Sequence, residues 1–170
     1  MKKLIAFLLA AAMMLCFVAC TPTQEQTPGS TEPVQDSFTF TYNGVKIALN
    51  APAEPIVEAL GGNPKYTEST SCAFDGLDKS YGYESFYLET YPLNGKDYVY
   101  GWRFVDDLHD DAKTAEGICI GSALADVTAA YGTENYNGSN AFQMTKGSGQ
   151  LTIILENDKV TSIQYTLLVS

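Results

Sequence analysis

The feature that most constrains the fold is a series of short runs in which apolar and polar residues alternate, separated by tight-turn dipeptides. The apolar positions of the first two runs, on either side of Asn43-Gly44, are Phe38, Phe40, Tyr42, Val45, Ile47 and Leu49. Alternation with a period of two places every second side chain on one face of a strand, and Asn-Gly favours a two-residue hairpin turn. Similar dipeptides separate later runs at Asp75-Gly76, Asn94-Gly95 and Asn157-Asp158. The sequence therefore predicts antiparallel hairpins over much of the chain.

A shift of 71 residues brings similar residues together, which predicts an internal duplication. The matching residues are Ile47, Leu49, Ile56, Leu60 and Gly61 in the first copy and Ile118, Ile120, Val127, Tyr131 and Gly132 in the second. In each copy the apolar residues before the glycine recur at helical spacing, and glycine is typical just after a helix. Ser122 is the expected N-cap of the second helix.

A meander follows each predicted helix. Its candidate strands are residues 69–74, 81–91 and 97–105 in the first copy and 139–145, 150–156 and 159–169 in the second, with Ala73-Phe74 matched to Ala141-Phe142. The predicted fold class is α+β, with two tandem copies of a strand, a short helix and a three-stranded antiparallel meander. Together they are expected to form a curved sheet with the helices on one face.

The N-terminus predicts export and attachment to a membrane. Lys2 and Lys3 precede a 15-residue apolar run, which fits a signal peptide and is short for a spanning helix. The run ends in Val18-Ala19-Cys20, which is similar to the lipobox of bacterial lipoproteins. This resemblance implies a signal peptide over residues 1–19 and a lipid on Cys20. An ordinary secretory signal and an apolar run that remains as a membrane anchor are the alternatives. Residues 20–36 are rich in Pro, Thr and Gln and predict a disordered tether, followed by repeats at 37–107 and 108–170.

The start of the second copy resembles a known class of exported domains. The residues that carry the resemblance are Glu116-Gly117-Ile118-Cys119-Ile120-Gly121-Ser122, then Asp126-Val127 and Ala130-Tyr131-Gly132. They are similar to the opening of small exported lipoprotein domains that resemble the β-lactamase inhibitor protein and the small outer-membrane-assembly lipoproteins. The resemblance implies a tandem α+β fold over residues 38–168 and, by analogy, protein binding. It assigns no contact residue, because no inhibitory residue aligns with this chain.

Charge excludes several classes of partner. The chain has 20 acidic and 10 basic residues, a net charge of −10, and removing Lys2 and Lys3 with the signal peptide makes it −12. Nucleic-acid binding depends on clustered positive charge, and so does adsorption to anionic lipid headgroups. A single histidine, His109, excludes a histidine-rich metal site. We therefore expect no nucleic-acid partner, no cofactor and no metal.

Two cysteines remain once the signal peptide is removed and Cys20 is acylated. An even pair in an exported domain favours a disulfide between Cys72 and Cys119, and two buried free thiols are the alternative. Gly117-Ile118-Cys119-Ile120-Gly121 has the spacing of a nucleophile elbow, but His109 precedes it and bulky isoleucines flank the cysteine. No catalytic residue is therefore predicted.

The run from Asp106 to Asp111 holds four carboxylates and His109. It lacks the alternating ligands and the turn glycine of a calcium loop, so a solvated loop between the copies is the preferred interpretation. An envelope enzyme or metal-dependent hydrolase that uses Cys119 or this run is the alternative function.

Aromatic residues of the first meander predict a binding face. The candidate contact residues, chosen because tyrosine and tryptophan anchor many interfaces, are Tyr81, Tyr83, Tyr87, Tyr91, Tyr100 and Trp102. The alternative is that these rings pack in the core. The expected function is that of a membrane-tethered extracytoplasmic binding lipoprotein, lipid-anchored to the outer face of a bacterial membrane, which contacts another protein. An assembly or structural factor of the envelope without a small-molecule site is a further alternative.

Overall fold

The computed structural model of the chain describes residues 37–105 and 112–169. The predicted signal peptide, the tether with Cys20, the run from Asp106 to Asp111 and the boundary between the predicted repeats lie outside the described residues. The described elements are β1 (Thr39–Tyr42), β2 (Val45–Ala48), α1 (Ala53–Leu60), β3 (Lys65–Thr70), β4 (Leu77–Gly82), β5 (Phe86–Leu93), β6 (Lys96–Phe104), α2 (Leu124–Tyr131), β7 (Ala141–Lys146), β8 (Gly149–Glu156) and β9 (Lys159–Leu167). The structure is mixed α+β, as the sequence predicts.

The first hairpin forms at the predicted turn. Asn43 and Gly44 have φ angles of 48° and 79°, the left-handed values that a two-residue turn between twisted strands needs. Among the described strands, β1 and β2 pair only with each other, as a two-stranded sheet. Phe40 and Ile47 lie opposite each other and are both buried, so one face of this hairpin packs into the core.

The other seven strands form one antiparallel sheet in the order β3-β4-β5-β6-β9-β8-β7. β6 and β9, the last strands of the two meanders, pair in its centre, where Trp102 lies opposite Tyr165. The turns at Asn94-Gly95 and Asn157-Asp158 are where the sequence predicts them, and all four residues have positive φ.

The prediction for the first meander is wrong, because this meander has four strands rather than three. β3 consists of six exposed, largely polar residues, so it lacks the apolar alternation by which a strand is recognised. The predicted strand over residues 81–91 is two strands, since β4 ends at Gly82 and β5 begins at Phe86. The turn between β4 and β5 is not evident in the sequence, because aromatic residues lie on both sides of it.

Both helices end at the predicted glycines. The N–H groups of Gly61 and Gly132 donate to the carbonyls of Val57 and Thr128 at 3.1 and 2.9 Å. The N-cap of α2 is Ala123 rather than Ser122, and the Asp126 carboxylate accepts a hydrogen bond from its N–H at 3.2 Å. Neither helix in the described part of the chain has the length and hydropathy needed to cross a membrane.

The two halves agree in some elements and differ in others. α1 and α2 have eight residues each and begin 71 residues apart. The β5–β6 and β8–β9 hairpins each join strands of eight and nine residues, and each contains one irregularity in register. However, residues 112–122 contain no strand, so the predicted leading strand of the second copy is wrong. Ala73-Phe74 lies in a loop, whereas Ala141-Phe142 lies in β7. The duplication itself stays a prediction.

One face of the large sheet carries the core. Side chains of residues directly opposite each other on paired strands project to the same face. This face, which we name the core face, is lined in its centre by Phe86, Leu88, Trp102, Phe104, Ile163 and Tyr165. The β1–β2 hairpin packs on it through Phe40, whose ring lies 5.1 Å from that of Phe86. The helices add buried Ile56 and Val127 to the same core.

Candidate functional site

A bulge in the β5–β6 pair separates aromatic residues that the sequence places together. Trp102 lies opposite Leu88, whereas Tyr98 lies opposite Tyr91, and Tyr100 is the additional residue between these two parts of the register. One extra residue reverses the face of every residue beyond it. Tyr98 and Trp102 therefore project to opposite faces, although their spacing along β6 predicts a shared one.

Trp102 belongs to the core and not to an exposed face. Its side chain is fully buried, and its ring stacks on that of Tyr165 with the centroids 4.9 Å apart. The indole Nε1 has no hydrogen-bond partner among the described residues. The expectation of an exposed Trp102 is therefore wrong, because its cross-strand neighbours are buried core residues.

Tyr81 and Tyr83 also lie on the core side of the sheet. Tyr81 is opposite Leu88, and its ring lies 5.3 Å from that of Tyr66. Tyr83 follows the end of β4 and stacks on Phe86 at 5.0 Å. Both side chains are half-buried, and burial raises the pKa of each phenol. The structure therefore does not bring these two residues to the face that carries Tyr87.

The face opposite the core, which we name the outer face, retains Tyr87 and Tyr91. The guanidinium of Arg103 lies over the Tyr87 ring at 5.1 Å. Tyr91 is only 5% exposed, because Phe74 covers it at a centroid distance of 4.7 Å and its hydroxyl hydrogen-bonds to the Asn50 side chain. The expectation of an exposed Tyr91 is therefore also wrong. Its ring instead forms part of the floor of a depression.

This depression, which we name the outer groove, is a cavity of about 530 Å³. Its floor is the outer face of β3, β4 and β5. Its walls are the loop of residues 71–76, of which residues 71–74 line the groove, the half-buried Tyr100 and Val169. Tyr100 lies 6.4 Å from Tyr91, with the two rings nearly perpendicular. The side chains that line the floor on its β3 side are short hydroxyls, which leaves the groove open there: Thr67, Ser69 and Ser80.

Hydrogen bonds within residues 71–76 hold Phe74 over the groove. The Ser71 N–H donates to the Gly76 carbonyl at 3.0 Å, which closes the loop. The Ser71 hydroxyl accepts from the Phe74 N–H at 3.3 Å. Gly76 has a φ of 132°, and a Cβ there would lie 2.8 Å from the Pro92 side chain, so a larger residue would displace this wall.

Three acidic residues and one lysine line the groove: Glu68, Asp78, Glu89 and Lys79. Asp78 lies opposite Ser69 and Glu89 lies opposite Ser80, so both acids project to the outer face. Lys79, which follows Asp78 on β4, projects to the core face. Its ammonium forms an ion pair with Asp97 at 2.7 Å, and that hydrogen bond raises the pKa of the lysine. No ion pair forms at Asp78 or Glu89 within residues 37–105 and 112–169.

The predicted disulfide is wrong, because Cys72 and Cys119 are both free thiols. Cys72 is exposed on the wall of the outer groove. Cys119 is half-buried beside the β8–β9 hairpin, next to Gly121, whose N–H donates to the Val160 carbonyl. Cys72 thus borders the outer groove and Cys119 lies near the β8–β9 hairpin, and no bond joins them.

The alternative enzymatic site gains no support from the described residues. Cys119 lies in an irregular segment, and the Ser122 hydroxyl accepts a hydrogen bond from its N–H at 3.1 Å. Its Sγ lies 3.6 Å from the same hydroxyl, which is not a general base. No group of three or more metal-binding side chains is present in the part of the chain that is described. His109 and the run from Asp106 to Asp111 lie outside it.

Sequence reasoning missed Asp78, Glu89 and the wall at residues 71–76. Asp75-Gly76 indicated a turn, but the length of the loop and the edge position of β3 decide where that turn lies.

Comparison of the chain with known protein families, with curated proteins and with solved structures found no match.

Proposed function

We propose that the chain is an exported lipoprotein, anchored through Cys20 to the outer face of a bacterial membrane, that binds another protein through the outer face of its sheet. The N-terminal sequence supports the export and the anchor. The outer groove supports the binding, because it is a concave site of about 530 Å³ that is lined by aromatic rings of the kind that anchor many protein interfaces. This groove is the observation that carries the proposal.

The aromatic residues proposed to make contact differ from those that the sequence predicts. Tyr100 and Phe74 border the groove, and Tyr87 lies on the same face beside Arg103. Aromatic rings and arginine are enriched at protein interfaces because they bury a large area and keep a polar group available. Trp102, by contrast, supports the face from the core side. The finer prediction of two tandem copies belongs to this proposal too, and the equal lengths of α1 and α2 and of the two hairpins support it.

Site-specific photocrosslinking in intact bacterial cells tests the binding face. A benzophenone amino acid replaces Tyr100 in the groove or, as the control, Gln143, an exposed residue on the same face of β7. Illumination should produce adducts of discrete mass at Tyr100 and not at Gln143. No adduct at Tyr100, or the same adducts at both positions, would contradict a binding role for the groove.

The anchor is tested separately with Cys20→Ala. The variant should leave the membrane fraction or retain its signal peptide, as seen in fractionation and in the mass of the mature protein. A membrane-bound variant with unchanged mass would contradict lipid attachment at Cys20.

A further inference from the structure

We infer that the outer groove takes an extended peptide segment of the partner protein that carries lysine or arginine. This inference rests on the proposed protein-binding function and names the chemistry of the partner. It follows from the charges of the groove, from its aromatic wall and from the free edge beside it.

The charge of the groove is negative, because Glu68, Asp78 and Glu89 line it together with a single cation, Lys79. Asp78 and Glu89 project into it, and neither forms an ion pair in the described part of the chain. The Lys79 side chain projects to the core face, where its ammonium is paired with Asp97. Arg103 is a cation on the outer face, but it stacks on Tyr87 and does not line the groove. A cationic side chain would supply the missing partner for both carboxylates.

Aromatic rings flank these carboxylates. Phe74 and Tyr100 line the groove together with Asp78 and Glu89. A lysine or arginine head group gains from a ring face within about 6 Å as well as from a carboxylate. Its methylene stem can pack on the same ring. An acidic or an uncharged side chain would gain only the second of these contacts.

The free edge of the sheet favours a peptide as the ligand over a small cation. All six residues of β3 are exposed, and the side of β3 away from β4 pairs with no strand among the described residues. An extended segment can add its backbone to such an edge. Neighbouring strands lie about 4.8 Å apart. A lysine side chain of the added segment would therefore pass over the short Ser69 and reach Asp78, which lies opposite Ser69 on β4.

The net charge of −10 acts in the same direction over a longer range. An acidic protein attracts a basic segment during diffusional encounter, and added salt weakens this attraction. Long-range attraction alone would not distinguish one acidic residue from another. The test therefore compares acids inside the groove with an acid outside it.

The probe is a blocked hexapeptide of alternating threonine and lysine, with versions in which glutamine or glutamate replaces every lysine. Calorimetry measures the binding of each peptide to the detergent-solubilised full chain, to Asp78→Asn and Glu89→Gln, and to Glu156→Gln. Glu156 is exposed at the end of β8, far from the groove, so its variant has the same loss of charge. Both groove acids project towards solvent, and thermal melts of the variants verify that they fold alike.

The lysine peptide should bind, and each groove variant should raise its Kd by about threefold to fivefold, the upper part of the range for exposed ion pairs. Glu156→Gln should change the Kd by less than about twofold. The bound peptide should also slow the alkylation of Cys72 in the wall and leave that of Cys119 unchanged, which provides an internal reference.

Two outcomes would overturn the inference and leave the proposed function intact. One is equal binding of the glutamine peptide, which would show a groove without charge preference. The other is the absence of peptide binding while crosslinks still form at Tyr100. If Glu156→Gln raised the Kd of the lysine peptide as much as Glu89→Gln does, the attraction would be nonspecific. That result would also refute the inference. Absence of crosslinks at Tyr100 would instead refute the proposed function.

Discussion

Gly101→Ala should destabilise the protein far more than Gly82→Ala, although each adds one methyl group to a strand glycine of the same sheet. A Cβ at Gly101 would lie 2.2 Å from the backbone carbonyl oxygen of Tyr165 in the central β6–β9 pair. A Cβ at Gly82 would lie 2.7 Å from the ring of Tyr87. Neither glycine has a positive φ, so the backbone itself accepts alanine at both positions.

The expected magnitudes follow from what must move. An ordinary carbon–oxygen contact is about 3.3 Å, so β6 and β9 would have to separate by about 1 Å at Gly101. Overpacking costs about 1–3 kcal/mol, and weakening ladder hydrogen bonds costs about 1 kcal/mol each. We expect a loss of about 3 kcal/mol or more for Gly101→Ala. Turning the Tyr87 ring costs about 1 kcal/mol, and replacing a strand glycine restores a similar amount, so Gly82→Ala should be within about 1 kcal/mol of the parent protein.

Urea unfolding of the purified variants measures both effects. Trp102 is the single tryptophan and is buried in the core, so its fluorescence reports loss of the fold. Far-ultraviolet circular dichroism serves as the second probe, because Gly101 neighbours this tryptophan. With an m-value of about 2 kcal/mol per M, the midpoint of Gly101→Ala should fall by about 1.5 M. Equal midpoints for the two variants would refute the reasoning that a fixed carbonyl, rather than a movable ring, determines the cost.

Three further outcomes are expected. Trp102→Ala should cost about 3–5 kcal/mol of unfolding free energy, because it leaves a cavity under Tyr165, and unchanged stability in a urea titration would contradict its place in the core. In the native protein, mass spectrometry should find Cys72 alkylated faster than Cys119 and no disulfide between them, and a linked peptide pair would reverse that conclusion. Burial, and then its hydrogen bond to Glu116, raise the pKa of Tyr131, and burial raises that of Tyr165. A raised folded pKa contributes stability below the ordinary tyrosine value of about 10 that is lost as pH rises through the folded value, so urea midpoints should fall above about pH 10, and a flat profile to pH 11 would argue against buried phenols.

The turns and helix ends could be predicted because their causes are local. Asn43-Gly44 needs only its own positive φ values to form a hairpin, and Gly61 ends α1 through one backbone hydrogen bond. The strands β8 and β9 alternate buried residues with partly or fully exposed ones over much of their length, so their existence is evident from the sequence. Export and the anchor at Cys20 are likewise sequence predictions, since they depend on a linear motif.

The candidate site could not be predicted, because its parts meet only across strands. Cys72 and Cys119 form an even pair in the sequence, but the fold leaves both as free thiols, with Cys72 in the wall of the groove. β3 shows no apolar alternation, so neither its position at the edge nor the free side that it offers is visible from composition. The groove next to it was therefore also not visible.

By itself, the sequence determined that this chain builds antiparallel hairpins and two short helices, because spacing and turn residues act over a few neighbours. The tertiary structure decided which aromatic rings are buried and which border the groove. The bulge at Tyr100 places Trp102 on the core face and Tyr98 on the outer face, and no periodicity could reveal a register that only pairing with β5 creates. Side chains alternate between the two faces along a strand, so one inserted residue moves every ring beyond it to the opposite face.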